Sequence, residues 1–118
     1  MNQPLKPLSG QGKEITYQAV PGGRLVHWGE TSFNMSDDLV VKIMDELFKD
    51  YGWYPLGASM TDPTPGGLGE FIDLEPRLTP RHASAIAAIM VDDGLLEYRG
   101  TKPIELRKVK QETYPSVD

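Results

Sequence analysis

At 118 residues, with 39% hydrophobic and 25% charged side chains, the chain has the composition of one globular domain around a single core. The absence of cysteine excludes disulfides, thiolate zinc sites and thiol catalysis, and agrees with a reducing, cytoplasmic compartment. A net charge of −5 opposes indiscriminate polyanion binding, no apolar stretch approaches the ~20 residues of a membrane helix, and Met1–Gly12 lacks a signal-peptide pattern.

The charge is unevenly spread. Residues 1–76 carry five basic and eleven acidic side chains, whereas residues 77–110 carry seven basic and four acidic ones. The second stretch is the one global feature that points to an anionic partner. The alternative is a domain whose two oppositely charged parts simply solvate themselves.

In chain order, residues 1–13 hold two prolines and two glycines without periodicity, which predicts a flexible leader before a globular domain spanning 14–110. Glu14–Val20 and Arg24–Trp28 alternate and are rich in β-branched and aromatic residues. With Pro21, Gly22 and Gly23 between them they predict a β-hairpin. Ser36 is an N-cap candidate, and Asp37 and Asp38 place negative charge at the positive end of a helix dipole. Val40, Ile43, Met44, Leu47, Phe48 and Tyr51 then recur every three or four residues, which predicts one apolar helix face ended by Gly52 and Pro55.

Residues 54–76 hold four prolines and four glycines and predict a long loop, interrupted by a short strand at Glu70–Leu74. The second helix runs from Thr79, a capping candidate, through Pro80 at the first helical position, to Asp93 and the stop at Gly94. Leu95–Arg99 and Ile104–Val109 alternate on either side of Gly100–Pro103 and predict a second hairpin. Residues 111–118 are expected to form a flexible tail.

Residues 79–109, in the stretch LTPRHASAIAAIMVDDGLLEYRGTKPIELRKV, resemble the closing half of a winged helix-turn-helix domain. A short polar start leads into a helix that exits through Gly94, Leu95 and Leu96 into a two-stranded wing. The resemblance covers about a quarter of the chain, and the family's second helix falls where this sequence carries the proline-rich segment 54–76. It implies double-stranded DNA as partner, with Arg81, His82 and Ser84 in the first helical turn as groove-reading candidates, and Arg81 at the helix start with Arg99 and Lys102 at the wing tip straddling the phosphate backbone. Between Ala83 and Val91, however, only Ser84 is polar. Ala85 and Ala88 form a small-residue face suited to close helix packing, so the alternative is a protein-interaction module or homodimer built on helix 79–93.

Other chemistry finds little support. His27 and His82 lack a second ligand at metal-binding spacing, so no metal or cofactor is expected. The pairs Asp37–Asp38 and Asp92–Asp93 sit at helix ends without an accompanying lysine at nuclease spacing. The run Thr64–Gly69 lacks the Gly-Lys-Ser/Thr ending of a phosphate loop, and no base accompanies Ser59, Thr61, Ser84 or Thr101. The remaining candidates are basic: Arg77, Arg81, Arg99, Lys102, Arg107, Lys108 and Lys110, which can equally serve as solvated strand edges. The expectation is therefore a non-enzymatic α+β domain, winged-helix-like, with an N-terminal β-hairpin, two main helices and a C-terminal β-hairpin.

Overall fold

The computed structural model describes residues 2–110, so the expected tail 111–118 lies outside the described residues. The chain folds as an α+β structure with two antiparallel three-stranded sheets. The first is a meander of β1 (Ile15–Val20), β2 (Gly23–Trp28) and β3 (Thr31–Ser36). The expected hairpin is thus present, but Gly23 belongs to the strand. The turn is two residues, with Gly22 at φ +79°, a backbone conformation that glycine adopts without a Cβ penalty. The third strand escapes a sequence reading because four of its six residues are Thr, Ser or Asn. Its strand character rests on Phe33 and Met35, both buried at alternate positions.

The leader does not hang free. Leu5 pairs with Ile15 through two backbone hydrogen bonds of 2.8 Å, and the Tyr17 N–H donates to the Asn2 side-chain oxygen at 2.6 Å. These contacts cover the outer edge of β1, which would otherwise present an unpaired row of backbone groups.

Helix α1 (Asp37–Lys42) opens as its sequence predicts, with the Ser36 Oγ accepting from the Leu39 N–H at 3.0 Å. It then widens into a π turn over Ile43–Leu47, closed by the Phe48 N–H donating to the Ile43 carbonyl at 3.1 Å. The extra residue in that turn changes the predicted face. Leu39, Ile43, Leu47 and Phe48 are buried, while Tyr51 lies beyond the helix and is 52% exposed. Gly52 does not cap the helix. Its N–H and the Tyr54 hydroxyl both donate to Asp50 Oδ1, at 2.9 and 2.8 Å, and steer the chain into β4 (Tyr54–Pro55). The Tyr54 hydroxyl and the Gly52 N–H hold the Asp50 carboxyl below its ordinary value, and the bond to Asp50 raises the Tyr54 phenol.

The segment expected to be a strand at Glu70–Leu74 is instead helix α2 (Leu68–Asp73), which buries Leu68, Gly69 and Ile72. Its short length leaves no room for the repeated spacing by which a helix is recognised. Helix α3 (His82–Asp92) follows, and β5 (Leu96–Arg99) and β6 (Glu105–Lys108) complete a second sheet in the order β4–β6–β5. Thr79 does not cap α3 with its own oxygen acting on the helix. The His82 ring turns back, and its Nδ1 accepts from the Thr79 N–H at 3.0 Å.

Helix α3 is enclosed. Seven of its eleven residues, from Ala83 to Met90 apart from Ser84, are buried. The meander is tied to both its ends: Phe33 and Trp28 pack against His82, with ring centroids 4.8 and 5.8 Å apart, and Arg24 pairs with Asp93 at 2.6 Å. Ile15, Val26, Phe33 and Met35 of the meander share one apolar core with Ile86, Ile89 and Met90 of α3. Among the described residues no helix is long and apolar enough to cross a membrane.

Candidate nucleic-acid interface

The outer face of the second sheet is set by strand alternation. Leu96 and Leu106 are buried, so Glu97, Arg99, Glu105 and Arg107 take the opposite side. The register places Glu97 across from Arg107 and Arg99 across from Glu105. Both opposite-charge pairs close: Arg99 Nε donates to Glu105 Oε1 at 3.0 Å, and Arg107 Nε donates to Glu97 Oε1. Such exposed pairs contribute ~0–1 kcal/mol each, so their role here is to orient the guanidinium groups rather than to hold the fold.

The two arginines share an aromatic neighbour. Trp53, immediately before β4, has the Arg99 guanidinium carbon 4.2 Å from its ring centroid and that of Arg107 at 4.4 Å. Beside them Lys108 Nζ sits 4.6 Å from the Tyr51 ring and donates to the Lys49 carbonyl at 3.3 Å. A shallow cleft lined by Tyr51, Glu97, Arg107, Lys108, Val109 and Lys110 borders this cluster, and Lys102 stands exposed in the turn between β5 and β6. Cations interleaved with aromatic rings on one surface can engage a phosphate backbone and stack bases.

The expected helix-start residues lie elsewhere. Arg81, His82 and Ser84 come together around a separate cleft, whose other walls are the leader and Trp28. Burial holds the His82 imidazole below its ordinary pKa. With Nδ1 accepting the Thr79 N–H, the neutral ring carries its proton on Nε2.

Ala85 and Ala88 require a correction. They are 0% and 4% exposed inside the chain's own core, so they offer no face to a partner or a second copy. Close helix packing is what small residues permit, but the neighbours here belong to the same chain. The enclosure also removes α3 beyond its first turn as a groove reader, since base edges cannot be reached from buried side chains.

Tyr51 and Trp53 were not legible as partners of the basic residues. Their signal in the sequence is the Glu–x–Arg repeat in both β5 and β6, which fixes a charged outer face, together with an aromatic pair entering the strand beside it. Among the described residues, no group of three His, Asp or Glu side chains could hold a metal ion. Comparison with known proteins finds no matching family model, no similar curated protein and no similar solved structure.

Proposed function

We propose that this chain is a non-enzymatic, winged-helix-like accessory module that grips a nucleic-acid backbone through its C-terminal hairpin instead of reading bases with α3. The observation that carries the reading is the Trp53 ring flanked by Arg99 and Arg107, with Lys108 over Tyr51 alongside. The winged-helix reading draws support from α2, a helix standing directly before α3 where the resemblance requires one, and from the β5–β6 hairpin that follows. Backbone contacts of this kind position a protein without specifying sequence, which suits a surface whose groove-reading helix is enclosed.

A titration of labelled duplex and single-stranded oligonucleotides, followed by anisotropy between about 50 and 200 mM salt, tests the proposal. Affinity is expected to fall steeply with salt and to depend little on sequence. Replacing Arg99 or Lys102 by Ala should lower the salt slope by about one unit for each lost phosphate contact. Absence of binding to either oligonucleotide at the lower salt would refute the reading.

A second reading, a protein-interaction module, now rests on different residues. Leu74 is 80% exposed and Val41 is also exposed, and each neighbours one member of the Lys42–Glu75 ion pair, which closes at 2.7 Å between α1 and the end of α2. Its prediction is a concentration-dependent mass by sedimentation or a captured partner, in either case abolished by Leu74→Asp.

A further inference from the structure

The cleft at the start of α3 is built from four separated parts of the chain: the leader, the β2–β3 turn, the loop after β4, and the first turn of the helix. We propose that it is a binding site for a small phosphorylated ligand carrying a flat ring, of the nucleoside monophosphate class. This inference is independent of the hairpin surface, with which it shares no residue.

Three observations carry it. First, the cleft volume is about 480 Å³, within the ~300–1,000 Å³ of small-molecule sites. Second, its lining holds Lys13 and Arg81 and no carboxylate, although the chain carries 17 acidic against 12 basic residues. A cationic recess in an acidic surface concentrates anions of matching size. Third, one wall is aromatic and apolar, with Trp28, Met60 and Ala58, and Met60 is an exposed large apolar side chain at that wall. The Trp28 ring also packs on His82, with ring centroids 5.8 Å apart, so the aromatic wall and the first turn of α3 meet at the cleft.

The anion would be held by side chains and not by the helix N-terminus. The N–H groups of His82, Ala83 and Ser84 are already taken by the carbonyls of Thr79, Pro80 and Arg81, at 3.0 to 3.1 Å. His82 is better placed. Its ring is fixed by the Thr79 N–H on one nitrogen and by contacts with Phe33 and Trp28, so Nε2–H remains as a pre-oriented donor. Lys13 and Arg81 are assigned to the phosphate, His82 and Ser84 to its oxygens or the ribose hydroxyls, and Trp28 with Met60 to the base.

The two tryptophans allow a direct test on the full chain. In a ¹H–¹⁵N spectrum each contributes one indole signal, and a Trp53→Phe variant assigns them. Adenosine 5′-monophosphate is expected to shift the Trp28 indole saturably and leave that of Trp53 in place. Adenosine and inorganic phosphate, each carrying half of the recognition, should bind more weakly. Lys13→Ala and Arg81→Ala, both at exposed positions, should each weaken binding by about tenfold or more, with the remaining amide spectrum unchanged. If Arg81→Ala perturbs the fold, Lys13→Glu carries the same expectation from the leader side. No saturable Trp28 shift at millimolar nucleotide, or Lys13 variants that bind as tightly as the parent chain, would overturn the proposal. Inorganic phosphate binding as tightly as the nucleotide would overturn the assignment of the aromatic wall.

Discussion

Gly69→Ala sets two physical effects against each other with opposite signs. Gly69 is the second residue of α2, and alanine is favoured over glycine in a helix by ~1 kcal/mol, so propensity alone predicts a more stable protein. Its surroundings predict the reverse. A Cβ built there would lie 2.8 Å from the Gly57 carbonyl carbon, closer still to that carbonyl's oxygen, and 3.2 Å from the Ala58 Cα. These obstacles are backbone atoms and cannot rotate aside. The helix cannot simply retreat either, because the Gly69 N–H donates to the Leu56 carbonyl at 2.9 Å, and a lost hydrogen bond costs ~1 kcal/mol. Overpacking of this kind costs ~1–3 kcal/mol, and together with the weakened hydrogen bond it outweighs the propensity gain and leaves a net loss of about 1–3 kcal/mol. Urea denaturation followed by far-ultraviolet circular dichroism should show the midpoint falling by ~1 M, given the slope expected for a small domain. A midpoint that rises would mean that α2 does not press on the chain after β4, and the packing described for residues 56–69 would be wrong.

Ile43→Ala should cost ~2–5 kcal/mol, since the side chain is fully buried at the start of the π turn, whereas Val41→Ala on the exposed side should stay within about 0.5 kcal/mol; equal losses in chemical denaturation would reverse the face assignment. His82 gives stability a pH dependence. Because its folded pKa lies below the ordinary 6.5, the unfolded chain takes up the proton first as pH falls. Stability is thus fully present above pH 6.5 and declines below it until the folded ring also protonates. His82→Asn, which keeps an acceptor for the Thr79 N–H, should flatten that part of a Tm-against-pH curve, and an unchanged slope would rule out His82 as its source. Limited proteolysis of the folded chain should cut first at the exposed stretch Ser59–Asp62, and not at Gly67–Gly69, which is buried. Early cleavage at Gly67–Gly69 would contradict the packing of α2.

Much of the architecture was open to reading because local chemistry and tertiary packing agreed. Ser36 with Asp37 and Asp38 started α1, and Gly94, at φ +80°, ended α3 as its sequence position suggested. The readings failed where packing decided against local appearance. β3 is polar at four of six positions and exists because β2 offers it an edge and the core accepts Phe33 and Met35. In α2, a single helical turn with a glycine gives no periodicity, and Phe71 and Ile72 are strong strand formers taken alone. The π turn moved Tyr51 out of a face that regular spacing assigned to it. At the candidate sites the sequence named Arg81, Arg99, Arg107 and Lys108, but it missed Lys13 and the aromatic neighbours. Trp53 meets Arg99 and Arg107 only through the pairing of β4 with β6, and Lys13 meets Arg81 only because the leader folds back on β1. Contacts of that sequence separation leave no trace in local pattern.

The enclosure of α3 constrains every functional reading of this fold. Baring α3 along its length would open the core it shares with Ile15, Val26, Phe33 and Met35 of the meander and expose those side chains. Returning four such side chains to water costs ~1.5–3 kcal/mol each, about 6–12 kcal/mol together. The whole stability of a domain this size is about 5–15 kcal/mol, so release of the meander approaches global unfolding. A switch between covered and uncovered α3 would also need a ligand that favours the open state by a comparable amount, far beyond the 1–3 kcal/mol of ordinary allosteric coupling. The proposed binding must therefore use surfaces that the core packing leaves accessible. Those include the hairpin, where Arg99, Arg107 and Lys108 stand over Trp53 and Tyr51, and the first turn of α3, where the meander and leader become walls of a cleft. On this argument the N-terminal sheet has two consequences from one packing arrangement: it shares the core that encloses α3 and builds the cleft beside that helix's start.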